Sequence, residues 1–460
     1  MKKIVYGLLV AALLLGCKKE SPEQPQKNYV LLSGNVENPK SDKLKINGLT
    51  NNFSATLNLS EGIFKDTLHA EEGNYMFYDG AYVMYFYIKP GDSLNLTYNG
   101  ENPYETLRFT GNDATANNYL AAKRNKERDL VDGVNVFTLD EQDFVFKERE
   151  VKQELLAMLE ATKGLTDDFK VKERNNIQYS YLEKLKDYER NHQYYTKDST
   201  FKASANLLEG LTELELDKED DFKYSYSYIR LLDNHVSQEA QTLSETQDIA
   251  YDVALLKAIN KLENTHIKNN LLYKNAQYGI TRTSDLQAYY DAFMKGSSNE
   301  THKEKITESY KQLKNVMKGM PSPAFADYED SKGSRISLED LKGRYVYIDV
   351  WATWCGPCKA EIPYLKKVEE KYKDSNIQFV SISIDKLADR DKWKNMVRDE
   401  HLGGIQLLAD NAFESQFVQD YYIKGIPKFI FLDPEGKILD PNAPRPSDAK
   451  LIQLFEKYKI

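Results

Sequence analysis

Hydrophobic and polar positions alternate with a period of two over residues 29–109. Leu44 and Ile46, for example, stand on either side of a lysine, and turn-forming pairs such as Asn47-Gly48 separate the short runs. Alternation of this kind is typical of strands that bury one face. We therefore predict an all-β N-terminal domain over residues 28–111, built as a small antiparallel sandwich or barrel.

The apolar period changes to 3.6 in the next stretch, residues 112–318. Val151, Leu155 and Leu159 recur at helical spacing, and the whole stretch contains no proline. An apolar stripe without proline favours long helices, while the lysines and glutamates between the stripes are typical of solvated helix faces. The pattern predicts a mostly α-helical middle domain over residues 112–318.

The first residues of the chain have the pattern of a secretory signal peptide. Lys2-Lys3 precedes an apolar run over residues 4–15, which is too short to cross a bilayer as a stable helix. Leu14-Leu15-Gly16-Cys17 resembles a bacterial lipobox, which implies cleavage before Cys17 and lipidation of its thiol. The alternative is a signal peptide over residues 1–17 that is not lipidated and contains an incidental cysteine.

Residues 18–27 are polar and contain two prolines, so we predict a flexible tether. Acyl chains on Cys17 would hold the protein at a membrane. Because Lys18 does not resemble the aspartate of inner-membrane retention signals, we expect a lipid-anchored protein of the cell envelope, at the outer membrane and facing the periplasm. Lys18-Lys19-Glu20 loosely resembles surface-export signals of some Bacteroidetes lipoproteins, which leaves surface exposure open.

Composition narrows the classes of function. The 460 residues carry a net charge of −9, which argues against a nucleic-acid partner because no basic excess is present to neutralise phosphates. The three cysteines, Cys17, Cys355 and Cys358, are too few for a disulfide-stapled scaffold. The histidines have no partners at metal-ligand spacing, and we expect no metal site.

The motif Cys355-Gly356-Pro357-Cys358 follows the apolar run Tyr345–Trp351, which we predict to be a strand, and precedes a helix that extends through Tyr372. At a helix N-terminus, unpaired backbone N–H groups favour a thiolate, the nucleophile of disulfide exchange. Two intervening residues place the second sulfur one turn away, where it can attack a mixed disulfide. Pro357 suits a first helical turn, and Gly356 leaves the first sulfur open.

Half a zinc site is the alternative for two cysteines at this spacing. A structural zinc site needs about four ligands, and this chain has no third available cysteine and no nearby histidine pair. The motif therefore favours redox chemistry.

The string from Trp351 to Cys358 resembles the thioredoxin superfamily, and specifically its membrane-anchored TlpA/ResA-like branch. The lead-in segments Pro321–Phe325 and Ser337–Gly343 carry the same resemblance, which covers residues 319–460. It implies an α/β thioredoxin-like fold and a protein disulfide oxidoreductase that needs no cofactor besides its own redox-active disulfide. It also implies protein disulfide substrates and a membrane electron donor resembling DsbD or CcdA. The remaining predicted elements fit this topology: a strand over 377–384, a helix over 388–400, a hairpin turn over 433–437 and a helix over 448–458.

The resemblance assigns roles to individual residues. Asp349 matches the buried acid that accepts a proton from the resolving thiol, and an unpaired carboxylate in an apolar strand is costly. Glu361 matches a glutamate near the sulfurs in ResA-like proteins, although an exposed first-turn carboxylate would fit equally well. The substrate-facing residues that the resemblance implies are Trp354, Gly356, Pro357, Gly425, Ile426 and Pro427.

Pro427 matches the family's cis-proline, whose preceding backbone pairs with the substrate chain. Lys428 stands where family members usually have threonine, which places a cation beside the predicted substrate groove.

Three functions compete at this level. The first is an envelope reductant of protein disulfides, with Cys355 attacking and Cys358 resolving, because Gly-Pro between the cysteines resembles reducing thioredoxins. The second is a peroxiredoxin-like peroxidase, although Ile348 and Ala352 stand where the peroxidase pattern has proline and threonine. The third is a partner-binding lipoprotein whose first 318 residues capture a ligand and whose redox domain is accessory.

Overall fold

The computed structural model describes residues 28–51, 53–207 and 214–460. The predicted signal peptide, Cys17 and the tether over residues 18–27 lie outside the described residues. The chain forms two compact units. The first extends to Leu214 and includes Asp220–Leu231, and the second consists of Glu215–Glu219 and Leu232–Ile460.

The first unit begins with two four-stranded sheets that share one apolar core. The all-β prediction for this segment is confirmed, with one correction. The first strand (Val30–Glu37) and the seventh (Ser93–Asn99) pair in parallel, because the chain between them passes through strands of the other sheet before it returns. The sheet orders are β4-β1-β7-β8 and β3-β2-β5-β6, with β1 (Val30–Glu37), β2 (Lys43–Gly48), β3 (Ser54–Asn58), β4 (Ile63–Leu68), β5 (Gly73–Tyr78), β6 (Val83–Ile88), β7 (Ser93–Asn99) and β8 (Arg108–Gly111).

Helices follow, as the 3.6-residue period predicts. The stripe of Val151, Leu155 and Leu159 is buried, because it packs in one cluster with Phe169 and Tyr87. The helices are α1 (Pro103–Thr106), α2 (Ala114–Val131), α3 (Glu141–Ala161), α4 (Asp167–Thr196), α5 (Glu219–Tyr224), α6 (Tyr226–Gln247), α7 (Tyr251–Ile259), α8 (Thr265–Gly279), α9 (Leu286–Gly296) and α10 (Glu300–Leu313).

The helical stretch is divided between the two compact units, whereas the sequence predicts one middle domain over residues 112–318. Helices α2, α3 and α4 belong to the unit that contains the β-sandwich, and α7 to α10 belong to the unit that contains the C-terminal region. The apolar stripes of α2 to α4 are buried in a cluster with Tyr87 of β6. Helix α9, in contrast, packs against α7, α8 and α10. The predicted boundary at residue 318 stays a prediction.

The second unit contains a seven-stranded sheet of order β10-β9-β13-β12-β11-β14-β15. Its central strands β11, β12 and β13 are parallel, and β14 pairs antiparallel with β11, as expected for a thioredoxin-like fold. The α/β prediction is confirmed. The elements are β9 (Tyr328–Asp330), β10 (Arg335–Ile336), β11 (Tyr345–Trp351), α11 (Gly356–Lys371), β12 (Ile377–Ser383), α12 (Arg390–Asp399), β13 (Ile405–Leu408), α13 (Gln416–Asp420), β14 (Lys428–Leu432), β15 (Ile438–Asp440) and α14 (Lys450–Lys457).

One face of this sheet is covered by α11 and α14. Tyr347 and Phe431 from the sheet pack with Leu365 of α11 and Phe455 of α14. This face also carries Asp349, because residues two apart on a strand point the same way. No helix of the described ranges has the length and apolar character needed to span a membrane.

Candidate active site

The two cysteines lie at the junction between β11 and α11, as predicted. Cys355 is the N-cap of α11, and its Sγ atom accepts a hydrogen bond from the backbone N–H of Cys358 at 3.1 Å. The two sulfurs form a disulfide, and each cysteine is only 4% exposed. A sulfur at a helix N-terminus with a backbone donor is placed to be stabilised as a thiolate after reduction.

The chain before the motif is held by Asp385, a residue that the sequence analysis missed. The carboxylate of this fully buried residue accepts hydrogen bonds from Thr353, from its N–H at 2.9 Å and from its hydroxyl at 2.8 Å. A third bond comes from the hydroxyl of Ser383 at 2.7 Å. Asp385 directly follows the strand that the sequence predicts over residues 377–384, and a carboxylate at the end of a buried strand is the signal that could have identified it. It fixes the backbone that leads into Cys355.

Three residues beside the sulfurs are exposed at the surface. Trp354 is 54% exposed, and its ring centroid lies 6.4 Å from that of Phe413. A Cβ atom built on Gly356 would meet no atom within 4 Å, so this position is open to solvent. Pro357 lies in the first turn of α11, where its missing N–H costs no hydrogen bond. All three predicted residues are therefore accessible at the surface beside the sulfurs.

Asp349 lies on the face of β11 that α11 covers. Its Oδ1 atom is inaccessible to solvent and has no hydrogen-bond partner among the residues that the structure describes. Burial raises the pKa of Asp349 to about 8, and the negative charges of Glu361 and Glu369 act in the same direction. A carboxyl group that titrates near neutral pH can take up and release a proton, which is the property expected of a general base.

Glu361 is buried, so the exposed-carboxylate alternative is wrong. Its two oxygens accept hydrogen bonds from the N–H of Ser447 at 3.0 Å and from the hydroxyl of Ser447 at 2.9 Å. The guanidinium of Arg445 lies 3.9 Å away. Glu361 therefore ties α11 to the loop before α14, and its charge influences Asp349.

Glu369, further along α11, was not singled out from the sequence. Burial raises the pKa of Glu369 to about 7. Its carboxylate fills the space beside Gly403, where a Cβ atom would approach Oε2 to 2.3 Å. A single glutamate on a charged helix carries no signal in the sequence that could have distinguished it.

The predicted cis-proline is present: the peptide bond between Ile426 and Pro427 is cis. Strand pairing brings this bond toward the cysteines, because Asp349 pairs with Phe429 and Val350 with Lys428 in the antiparallel register of β11 and β14. The end of β11 and the start of β14 therefore share one edge of the sheet. Gly425, Ile426 and Pro427 lie at the edge where the cysteine motif begins.

The expectation that Lys428 places its charge in the substrate groove needs correction. Its Nζ atom donates a hydrogen bond to the backbone oxygen of Thr281 at 3.2 Å and another to the side chain of Asn442. Burial lowers the pKa of Lys428 to about 8. The ammonium group is directed at the loop between α8 and α9, because strand alternation turns this side chain away from the face that α11 covers.

Metal-ligating side chains are not clustered in the part of the chain that the structure describes. No group of three or more histidine, cysteine, aspartate or glutamate residues there is arranged to hold a metal ion.

Residues 317–449 match the Redoxin family. The chain is 29% identical to the thiol-disulfide oxidoreductase ResA of Bacillus subtilis over 126 residues, which are 27% of this chain and 66% of that protein. It is 32% identical to ResA of Oceanobacillus iheyensis over 112 residues, covering 24% of this chain and 55% of that one. The similarity thus spans less than two thirds of the length of both relatives.

Among solved structures, the chain is similar to a Bacteroides vulgatus protein named as a candidate thiol-disulfide oxidoreductase. The two are 48% identical, with 31% of this chain and 92% of that one covered and a TM-score of 0.28. The fold assignment rests on the strand order and the cis-proline of this chain, not on that likeness.

Proposed function

We propose a disulfide-exchange cycle for this chain on the premise that its C-terminal region belongs to the thioredoxin-superfamily thiol-disulfide oxidoreductases. The observation that carries the proposal is the Cys355–Cys358 disulfide at the N-terminus of α11, with the Cys355 sulfur accepting a backbone hydrogen bond. The substrates proposed are protein disulfides.

The cycle begins with the reduced dithiol. The Cys355 thiolate attacks one sulfur of a client disulfide, so that the client S–S bond breaks and its second sulfur leaves as a thiolate. Asp349 takes the proton of the Cys358 thiol, and the resulting thiolate attacks the Cys355 sulfur. The mixed disulfide breaks, the client leaves with both sulfurs reduced, and the two electrons have come from the Cys355–Cys358 pair.

The client chain is proposed to lie along the cis-proline loop. The backbone next to Pro427 offers strand-like pairing, and Trp354 with Gly356 and Pro357 forms the opposite rim. The accessibility of Trp354 and Gly356 supports this placement.

Net reduction of clients is the proposed direction. No histidine between the cysteines stabilises the thiolate as in strong oxidants. Equilibration of the purified protein with glutathione buffers should give a reduction potential closer to that of thioredoxin, about −270 mV, than to that of DsbA, about −120 mV. A value at the DsbA end would overturn the reductant assignment and indicate an oxidase.

A lipid anchor on Cys17 at the cell envelope is proposed on the basis of the lipobox-like sequence. A membrane electron donor resembling DsbD or CcdA would then return electrons to the Cys355–Cys358 disulfide. Cells fed radiolabelled palmitate should label the wild-type protein, whereas Cys17→Ser should lose the label and leave the membrane fraction. Equal labelling of the two proteins would contradict the anchor.

A further inference from the structure

The loop between α8 and α9 lies against the cis-proline loop within the second unit. Lys428 donates a hydrogen bond to the backbone oxygen of Thr281, and the side-chain nitrogen of Asn442 donates to that of Thr283, each at 3.2 Å. Both threonines are buried. The residue between them, Arg282, is exposed. These two hydrogen bonds therefore hold the loop in place on both sides of Arg282.

The guanidinium of Arg282 reaches the position that precedes the cis peptide bond. A Cβ atom built on Gly425 would lie 3.7 Å from its Nη2 atom. Across the described ranges, no hydrogen bond or ion pair joins the Arg282 side chain to another residue. An unpaired guanidinium at the edge of a binding groove is available to a carboxylate, which it can bind through two parallel hydrogen bonds.

A second cation, Lys424, directly precedes Gly425 in the chain. Lys424 is exposed, and its Nζ atom lies 4.2 Å from the ring centroid of Tyr422. The hydroxyl of Tyr422 is hydrogen bonded to that of Ser309 on α10 at 2.8 Å, which holds the ring in place. Gly425 thus has Arg282 close to it in space and Lys424 next to it in sequence, in a chain whose net charge is −9.

We propose that Arg282 is a specificity-determining residue of the disulfide-exchange site, and that with Lys424 it selects client segments carrying an acidic side chain next to the reacting cysteine. This inference rests on the proposed function. Because Gly425 has no side chain, a client backbone can approach the loop closely and its neighbouring carboxylate can reach the guanidinium. The loop between α8 and α9 thereby contributes directly to substrate choice.

The test uses the purified full chain, pre-reduced, and three disulfide-bridged fluorogenic peptides. These differ only in the residues beside one cysteine, which are aspartates, asparagines or lysines. Wild-type protein should reduce the aspartate peptide about threefold to fivefold faster than the asparagine peptide, a difference of the size of one surface ion pair. The preference should shrink as salt is raised.

Three variants identify the source of the preference. Arg282→Gln should remove most of the preference for the aspartate peptide over the asparagine peptide, and Arg282→Glu should favour the lysine peptide. The matched control is Arg344→Gln, which removes an exposed arginine just before β11, at the end of that strand opposite to the cysteines. It should leave the preference unchanged.

The outcomes separate the two proposals. If wild-type protein reduced the asparagine peptide as fast as the aspartate peptide, or if Arg282→Gln left the preference undiminished, the role of Arg282 would be overturned while disulfide reduction stayed intact. Failure of wild-type protein to reduce any of the peptides would overturn the proposed function, and this inference with it.

Discussion

Replacing Cys355 by serine is expected to abolish insulin reduction by the purified protein, with a rate loss of at least about a thousandfold. The loss is that large because a serine hydroxyl does not ionise at neutral pH, even at the N-terminus of α11, and without an anion no mixed disulfide forms. Turbidity of the precipitating insulin B chain measures the rate.

Cys358→Ser is the partner experiment and has a different expected result. Attack by Cys355 still occurs in this variant, but the resolving step is lost, so clients should stay linked to Cys355. Non-reducing gels should show adducts that dithiothreitol releases, and Cys355→Ser should show none. If Cys355→Ser reduced insulin at the wild-type rate, the nucleophile would have been assigned wrongly.

Asp349→Asn is expected to slow insulin turnover about a hundredfold at pH 7, in the usual range for loss of a general base. The amide is nearly isosteric with the carboxyl group, but it accepts no proton from Cys358. Raising the pH should restore part of the rate, because hydroxide can then ionise the thiol. The wild-type pH profile should contain an ionisation near the raised pKa of Asp349, about 8, that is absent from the variant.

The same substitution should change stability in a pH-dependent way. The pKa of Asp349 is ordinarily 3.8 and is about 8 in the folded chain. At a pH between these two pKa values, the carboxyl group is ionised in the unfolded chain and still protonated in the folded chain. The free energy of unfolding therefore falls as the pH rises from about 4 to about 8. In the Asp349→Asn variant the free energy of unfolding should not fall in this way, because the amide does not titrate. Its stability advantage over the wild type should be small at pH 4 and reach several kcal/mol above pH 8.

Urea unfolding monitored by tryptophan fluorescence measures this difference, because Trp351, Trp354 and Trp393 all lie in the C-terminal region. Glu369→Gln is the matched control for catalysis. Burial raises the pKa of Glu369 as well, but its carboxylate lies beside Gly403. Glu369→Gln should change stability with pH, and it should slow insulin turnover far less than Asp349→Asn, because the Glu369 charge only helps to raise the pKa of Asp349. A pH-independent stability difference for Asp349→Asn would contradict the raised pKa.

The strand, the cysteine motif and the following helix could be predicted because each depends on residues close together in the chain. The apolar run over Tyr345–Trp351 forms a buried strand, and Cys355 caps the helix that begins one residue later. The cis-proline could be placed only through the family resemblance, since no local pattern distinguishes Pro427 from other prolines. The alternation in the N-terminal segment likewise predicted strands, but not that β1 and β7 would pair in parallel.

The contacts that position and charge the site depend on the tertiary structure, because they join residues that are far apart in the chain. Asp385 supports Thr353 from 32 residues away, and Glu361 binds Ser447 across 86 residues. Arg282 reaches Gly425 from the loop between α8 and α9, which Lys428 and Asn442 hold by hydrogen bonds. Periodicity specifies which face of a helix or strand is buried, but not which distant segment covers it. The sequence by itself determined the chemistry of the sulfurs, while packing determined the pKa of Asp349 and the charges that a client would meet.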